Sequence, residues 1–308
     1  MYNFKKCHVM PLKSYKNPPS ANYASTDFAD LSHEINNNVK NNIKENKEND
    51  EFLINAFHEL KTPLNIIYSA TQLIDVYLKT DNKEQYNDKI FYNVNSIIQN
   101  CFRLMKVINN ILDLSKIEEG ALILDYSYVN IVEVIENVVQ TVSETIKYKH
   151  LNFIFDTNIE EKYMIADVEY IQRVLLNLLS NAVKFSNIGG EIFVSVISKG
   201  NTLEIAVTDK GIGIDKEHLD NIFSRFGLVD KSLSRRAEGS GMGLKLSKEI
   251  INAHGGSIHV FSKLNEGSTF IIKLPCKKND AICPLYGNKI MNYDSLKEMI
   301  KIEFSDIQ

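Results

Sequence analysis

The hydrophobic pattern changes character partway along the chain. Leu53, Phe57, Leu60, Leu64, Ile67, Thr71, Ile74 and Leu78 recur at alternating spacings of four and three, and all but Thr71 are apolar. Such a heptad seam predicts one long amphipathic helix from about Asp50 to Leu78. Ile90, Val94, Ile97, Cys101, Leu104, Ile108, Ile111 and Ser115 repeat the spacing, and Phe91, Ile98, Met105 and Leu112 add a second ridge. A turn through Thr80-Asp81-Asn82 joins the two helices into an antiparallel hairpin, and Gly120 suits a C-terminal cap. One hairpin cannot bury stripes this wide. Two copies in a four-helix bundle can, which predicts a homodimer.

Beyond Gly120 strand and helix periods alternate. Leu122–Tyr128 reads as a strand, Ile131–Tyr148 as a helix and Leu151–Thr157 as a strand. Glu169–Phe185 is a strongly apolar helix. Glu191–Ser198 and Thr202–Thr208 are strands joined by Lys199-Gly200-Asn201. Gly243–His254 is helical, and Ser257–Ser262 and Thr269–Leu274 form a last hairpin across Asn265-Glu266-Gly267. The alternation predicts a layered α/β sandwich, so the whole chain is an α+β multidomain protein. The expected division is an arm and linker over 1–48, the helical hairpin over 49–119, the sandwich over 120–275 and a tail over 276–308. Residues 31–51 fit either a linker or a solvated helical lead-in. The tail carries one helix near Tyr293–Met299 and is expected to pack on the sandwich.

Composition narrows the function classes. A chain of 308 residues suggests about two domains, and 44% apolar content supplies a core. A net charge of −4 gives no basic footprint for nucleic acid. The sequence has neither an apolar run long enough for a transmembrane helix nor a signal-peptide pattern. Cys7, Cys101, Cys276 and Cys283 lack zinc-ligand spacing, which predicts reduced thiols and a cytoplasmic location.

The heptad frame places His58 at b, Glu59 at c and Thr62 at f, on the wet face of the first helix. Pro63 frees the Glu59 carbonyl and predicts a bend beside them. The octet Phe57-His58-Glu59-Leu60-Lys61-Thr62-Pro63-Leu64 resembles the H-box of two-component sensor histidine kinases at every place. A second run, Leu31-Ser32-His33-Glu34-Ile35-Asn36, imitates its start but lacks the Thr, the Pro and a supporting seam.

Four further clusters follow in the second half. Asn177 and Asn181 share a helix face in Asn177-Leu178-Leu179-Ser180-Asn181-Ala182-Val183-Lys184-Phe185, where amide oxygens suit Mg²⁺ and Lys184 suits a phosphate. This string resembles the family's N-box. Asp209-Lys210-Gly211-Ile212-Gly213-Ile214 resembles the G1-box: Asp209 can accept the adenine amine, and Gly211 and Gly213 let backbone approach a ligand. Ile222-Phe223-Ser224-Arg225-Phe226 resembles the F-box, with Phe226 under a basic lid over Gly227–Glu238. Gly239-Ser240-Gly241-Met242-Gly243-Leu244 resembles the G2-box, exposing N–H groups at a helix start. Gly267-Ser268-Thr269-Phe270 resembles the closing G3 turn, with Asn265 in place of its usual leading Gly.

The resemblance spans about residues 50–275. It implies a Bergerat-type ATP-binding domain that uses ATP and Mg²⁺ to phosphorylate His58. An aspartate on a response regulator would then receive the phosphoryl group, and Thr62 could support the reverse dephosphorylation. Two readings stand beside it. One is a scaffold that dimerises and docks a regulator without transfer; the other is a mechanical ATPase of the gyrase or MutL class, which needs no acceptor histidine.

Overall fold

The computed structural model describes residues 52–80, 83–224, 241–276 and 292–307. The N-terminal arm and linker, His33, Cys7, Cys283, Phe226, Gly239 and the lid segment Gly227–Glu238 lie outside the described residues.

Helix α1 covers residues 52–78 and runs unbroken through Pro63. A short 3-10 turn, Lys83–Tyr86, leads into α2, Asn87–Glu118, whose 32 residues span about 48 Å. Tyr77 and Tyr86 stack at 4.8 Å across the turn, and the Lys89 ammonium lies over both rings. Helix α2 ends in a left-handed cap: Gly120 has φ +65, and Ala121 N–H returns to the Lys116 carbonyl at 2.7 Å.

Within one chain the hairpin buries a stripe beside the apolar seam, and leaves the seam itself largely open. Ala56, Pro63 and Ala70 are buried on α1, and Asn93, Asn100, Val107 and Leu114 on α2, each set at seven-residue steps. The predicted seam is half covered at best: Leu53, Leu64 and Leu78 are exposed, and Phe57 is 68% exposed. Its partners on α2 behave alike, with Val94, Ile98, Met105, Ile108 and Leu112 exposed. The two stripes are adjacent, so the wide apolar face points away from the intra-hairpin seam.

The second part is a five-stranded sheet covered on one face by helices. The strands are β2 (Asn152–Thr157), β4 (Glu191–Lys199), β5 (Thr202–Asp209), β6 (Ser257–Lys263) and β7 (Gly267–Pro275), in the order β2-β4-β5-β7-β6. Only β2 and β4 are parallel. Inward residues alternate on the central strands: Ile192, Val194 and Val196 of β4 and Leu203, Ile205 and Val207 of β5 are at most 1% exposed. Helices α3 (Ile131–Thr145), α4 (Val168–Phe185) and α5 (Gly243–Ala253) supply the opposing layer. Helix α4 is buried almost all round, because α5, β5 and a C-terminal helix, α6 (Tyr293–Glu303), also pack on it.

Two local expectations change. Of the predicted strand Leu122–Tyr128, only Ser127 and Tyr128 enter a ladder, as the start of β1 (Ser127–Asn130), which pairs with β3 (Tyr163–Ala166). Leu122, Leu124 and Tyr126 alternate inward as predicted but line an open cleft of about 410 Å³ with Ile117, Glu249, Asn252 and Ala253. There the alternation serves packing rather than pairing. The tail helix touches α2 as well as α3 and α4, so it spans both parts of the chain instead of the sandwich alone.

Candidate nucleotide and phospho-acceptor site

His58 is exposed on α1, one residue from half-buried Glu59. The Thr62 hydroxyl donates to the His58 carbonyl at 3.3 Å, one turn along the same face. Helix α1 presents the imidazole because its inward positions, Ala56 and Pro63, fall on other sides of the helix.

The second group gathers on α4 and the end of β5. Asp209 closes β5 and is 5% exposed. Its carboxylate accepts the Gly211 N–H at 2.8 Å. Burial pushes its pKa up from the ordinary value, only partly offset by the backbone N–H groups of Gly211 and Ser268. Three segments press on this end without room for a side chain. A Cβ on Gly211 would lie 2.3 Å from the Phe185 carbonyl oxygen, at the C-terminus of α4. One on Gly213 would lie 2.0 Å from the Lys263 carbonyl oxygen, and one on Gly267 2.0 Å from that of Asp209. Gly213 (φ +67) and Gly267 (φ +93) also have backbones that L residues rarely adopt. Asn265 takes φ +63 and donates its N–H to the Ile212 carbonyl at 2.7 Å, so the departure from a leading Gly is accommodated as a left-handed turn.

The Gly-rich start of α5 meets α4 one turn and more before its C-terminal end. A Cβ on Gly243 would lie 2.3 Å from Asn177 Oδ1, while Asn177 Nδ2 donates to Ser247 Oγ at 2.9 Å. Asn177 therefore fastens the two helices, and half-buried Asn181 is the amide one turn further on. Gly241 has φ +63, Met242 is fully buried and Leu244 packs on the core. Phe223 sits edge-on to Phe270 at 6.5 Å, with the Lys248 ammonium 5.6 Å from its ring centre.

The ammonium of Lys184, the residue expected to meet a phosphate, lies 3.6 Å from Asp306, beyond α6, and its side chain is 12% exposed. Sequence reasoning also missed a polar joint between hairpin and sandwich. Asp113 of α2 accepts Arg173 NH1 and the Tyr170 hydroxyl (3.2 Å), and Arg173 NH2 donates to Asn110 Oδ1 at 2.9 Å. The one cue was Asp113 itself, interrupting the apolar run Ile111-Leu112-Asp113-Leu114.

The helical hairpin carries an exposed histidine, and the mixed sheet joined to it brings its glycines together on a buried aspartate. Two family models match the same division. "His Kinase A (phospho-acceptor) domain" matches residues 48–120, and "Histidine kinase-, DNA gyrase B-, and HSP90-like ATPase" matches residues 166–278. Together they take in more than half of the chain, which belongs to the histidine kinase family.

The chain is 33% identical over 236 residues to the sensor histidine kinase WalK of Bacillus subtilis, covering 75% of this chain and 37% of that one. It is 32% identical over 273 residues to the hybrid signal transduction histidine kinase D of Dictyostelium discoideum, covering 85% and 17%. It thus spans little more than a third, or less, of the length of these relatives. Among solved structures, the Acinetobacter baumannii histidine kinase AdeS matches 72% of this chain and 98% of its own, with a TM-score of 0.56 at 24% identity. The histidine kinase ThkA in complex with the response regulator protein TrrA matches 74% and 61%, with a TM-score of 0.54 at 23% identity. These likenesses concern the fold. No helix among the described residues is long and apolar enough to cross a membrane.

Proposed function

We propose that the protein is a histidine kinase that phosphorylates His58 from ATP and passes the phosphoryl group to an aspartate of a response regulator. The observation that carries this is Asp209, buried at the end of β5 within a cradle that only backbone and glycine can form. A carboxylate there accepts the exocyclic amine of adenine, which selects adenine over guanine. The N–H groups before α5 face the phosphates at a helix N-terminus.

The donor set suits Mg²⁺ held through amide oxygen and phosphates, since that ion keeps most of its shell as water and substrate oxygen. Asn181 and Asn177 would hold it through their amide oxygens, the Asn177 Nδ2 bond to Ser247 fixing that side chain against α5; among the described residues no cluster of three or more His, Cys, Asp or Glu could serve instead. When bound, the ion offsets charge on the phosphates.

For transfer, one imidazole nitrogen of His58 attacks the γ-phosphorus in line, and ADP leaves with the bond electrons. Glu59 holds the proton on the other nitrogen and stabilises the imidazolium that forms. Positioning and electrostatics carry most of the acceleration, as in other phosphoryl transfers. The exposed apolar stripes of α1 and α2 far exceed isolated surface apolar residues, and a second copy of the hairpin covers them as a homodimeric four-helix bundle. The free thiols of Cys101 and Cys276 fit a cytoplasmic setting. The Thr62 hydroxyl, one turn from His58, orients water for dephosphorylation of the regulator; a Thr62→Ala chain that dephosphorylates at the wild-type rate removes that role.

Incubation with γ-labelled ATP tests the reading. Acid-labile, base-stable label is expected on the wild-type chain and none on Asp209→Asn, which also loses nucleotide binding while remaining folded. Full labelling of Asp209→Asn would reject the nucleotide site as drawn.

A further inference from the structure

The C-terminal segment is built into the joint between the hairpin and the nucleotide domain. Helix α6 is capped by Asn292, whose side chain accepts the Asp294 and Ser295 N–H groups. It buries Leu296 and Ile300, and Phe304 and Ile307 continue the same apolar face beyond it. The following turn is held from both sides. From α2, Gln99 and Arg103 donate to the Ser305 carbonyl (3.1 and 3.0 Å), and Lys106 Nζ donates to the Glu303 carbonyl at 2.7 Å. From α4, the Ser180 hydroxyl donates to that same Glu303 carbonyl at 3.2 Å.

Four charges meet at this turn. Lys106 lies 3.2 Å from the Glu303 carboxylate and 3.0 Å from that of Asp306, and Asp306 reaches Lys184 at 3.6 Å. All four side chains are at most 15% exposed. Charges this dry are costly unless paired, so the arrangement specifies one position of the tail rather than a generic surface contact. Lys184 lies one turn from Asn181 on α4, at the edge of the site where nucleotide phosphates are expected. Asp306 therefore presents a carboxylate to the ammonium that a phosphate would use.

We propose that residues 292–307 are an autoinhibitory strap. It pins the nucleotide domain to α2 and, through Asp306, occupies Lys184; delivery of the γ-phosphate to His58 requires the strap to let go. A phosphate carries more negative charge than the carboxylate and competes with it for Lys184. Nucleotide binding and strap release are thus coupled, each favouring the other. The inference rests on the kinase reading above, together with the phosphate-binding role that the sequence pattern implies for Lys184.

The test compares γ-labelled ATP incorporation, and its dependence on ATP concentration, in the full chain, in Asp306→Asn and in a chain ended before Asn292. Asp306→Asn leaves Lys106 paired with Glu303 and keeps the apolar seat. It is expected to lower the ATP KM or raise the labelling rate about tenfold, the equivalent of one partly buried charge pair. The shortened chain, if folded, should exceed it. A merely structural tail would lower thermal stability and leave labelling equal or slower. Wild-type labelling that Asp306→Asn leaves unchanged or reduced overturns the strap alone. No labelling and no ATP binding in any of the chains overturns the kinase reading and the strap with it. A silent wild type that Asp306→Asn awakens supports both.

Discussion

Replacing Gly213 by alanine probes the cradle around Asp209 with two separable penalties. At φ +67 an L residue is strained by about 1–2 kcal/mol. The added Cβ would also sit 2.0 Å from the Lys263 carbonyl oxygen and 2.7 Å from its carbon. Those are backbone atoms and cannot rotate aside. Moving them would disturb the Asn265 N–H bond to Ile212 and the Ile214 N–H bond to Ser262 Oγ (2.7 and 2.8 Å). Overpacking of that kind costs about 1–3 kcal/mol, so the sum is about 2–5 kcal/mol. Gly200 is the matched control: its φ is +61, and a Cβ there meets nothing within 4 Å. Gly200→Ala should therefore carry the conformational penalty alone. At about 2–4 °C per kcal/mol for domains of this size, Gly213→Ala should melt well below Gly200→Ala in circular dichroism, and its ATP affinity should fall. Equal melting temperatures for the two variants would refute the claim that the G1 loop is wedged against the β6–β7 turn.

Two further outcomes follow from the charged joints. Asp113→Ala strands Arg173, itself largely buried, and should cost about 3 kcal/mol. A double-mutant cycle with Arg173→Ala should recover a coupling of about 1–3 kcal/mol, and additive losses would contradict the pair. Burial, and then the Asp113 carboxylate, push the Tyr170 phenol up to about 12, so its titration in labelled-tyrosine NMR should move down in Asp113→Ala. Burial opposes ionisation of Asp306, but Lys106 and Lys184 outweigh it and hold its pKa below the ordinary value. The stability this group adds is present above the unfolded carboxylate pKa of about 3.9 and is lost as pH falls through the lower folded value. Amide exchange in α6 should therefore rise on acidification below about pH 4 in the wild type. The added increment should be absent in Asp306→Asn, and an identical acid profile for both would count against the pairing.

Much of the architecture was legible because two periods dominate the chain. The heptads of α1 and α2 and the alternating central strands are long, regular and bounded by glycine or polar turns. β3 was missed because four residues, Tyr163–Ala166, give too short a run to register a period. The hairpin's own seam was missed for a different reason: Ala56, Ala70, Asn93 and Asn100 are small or polar, and a reading that weighs apolar residues finds the broad face beside it. The cradle of Asp209 could be anticipated from its glycines, yet the close approach of Gly267 to Asp209 joins segments far apart in sequence. The engagement of Lys184 by Asp306 was hidden altogether, since the tail carries no motif and the contact exists only when α6 folds back onto α2 and α4.

Of the seven histidines in the chain, His58 is the proposed phosphate acceptor. The decisive measurement is mapping of the phosphorylated residue by fragmentation mass spectrometry after incubation with ATP, kept under alkaline conditions so that the P–N bond survives. Phosphate on His58, and its complete loss in His58→Gln with His33→Gln unaffected, is the predicted result. Phosphate on any other residue, or its persistence in His58→Gln, would contradict the account.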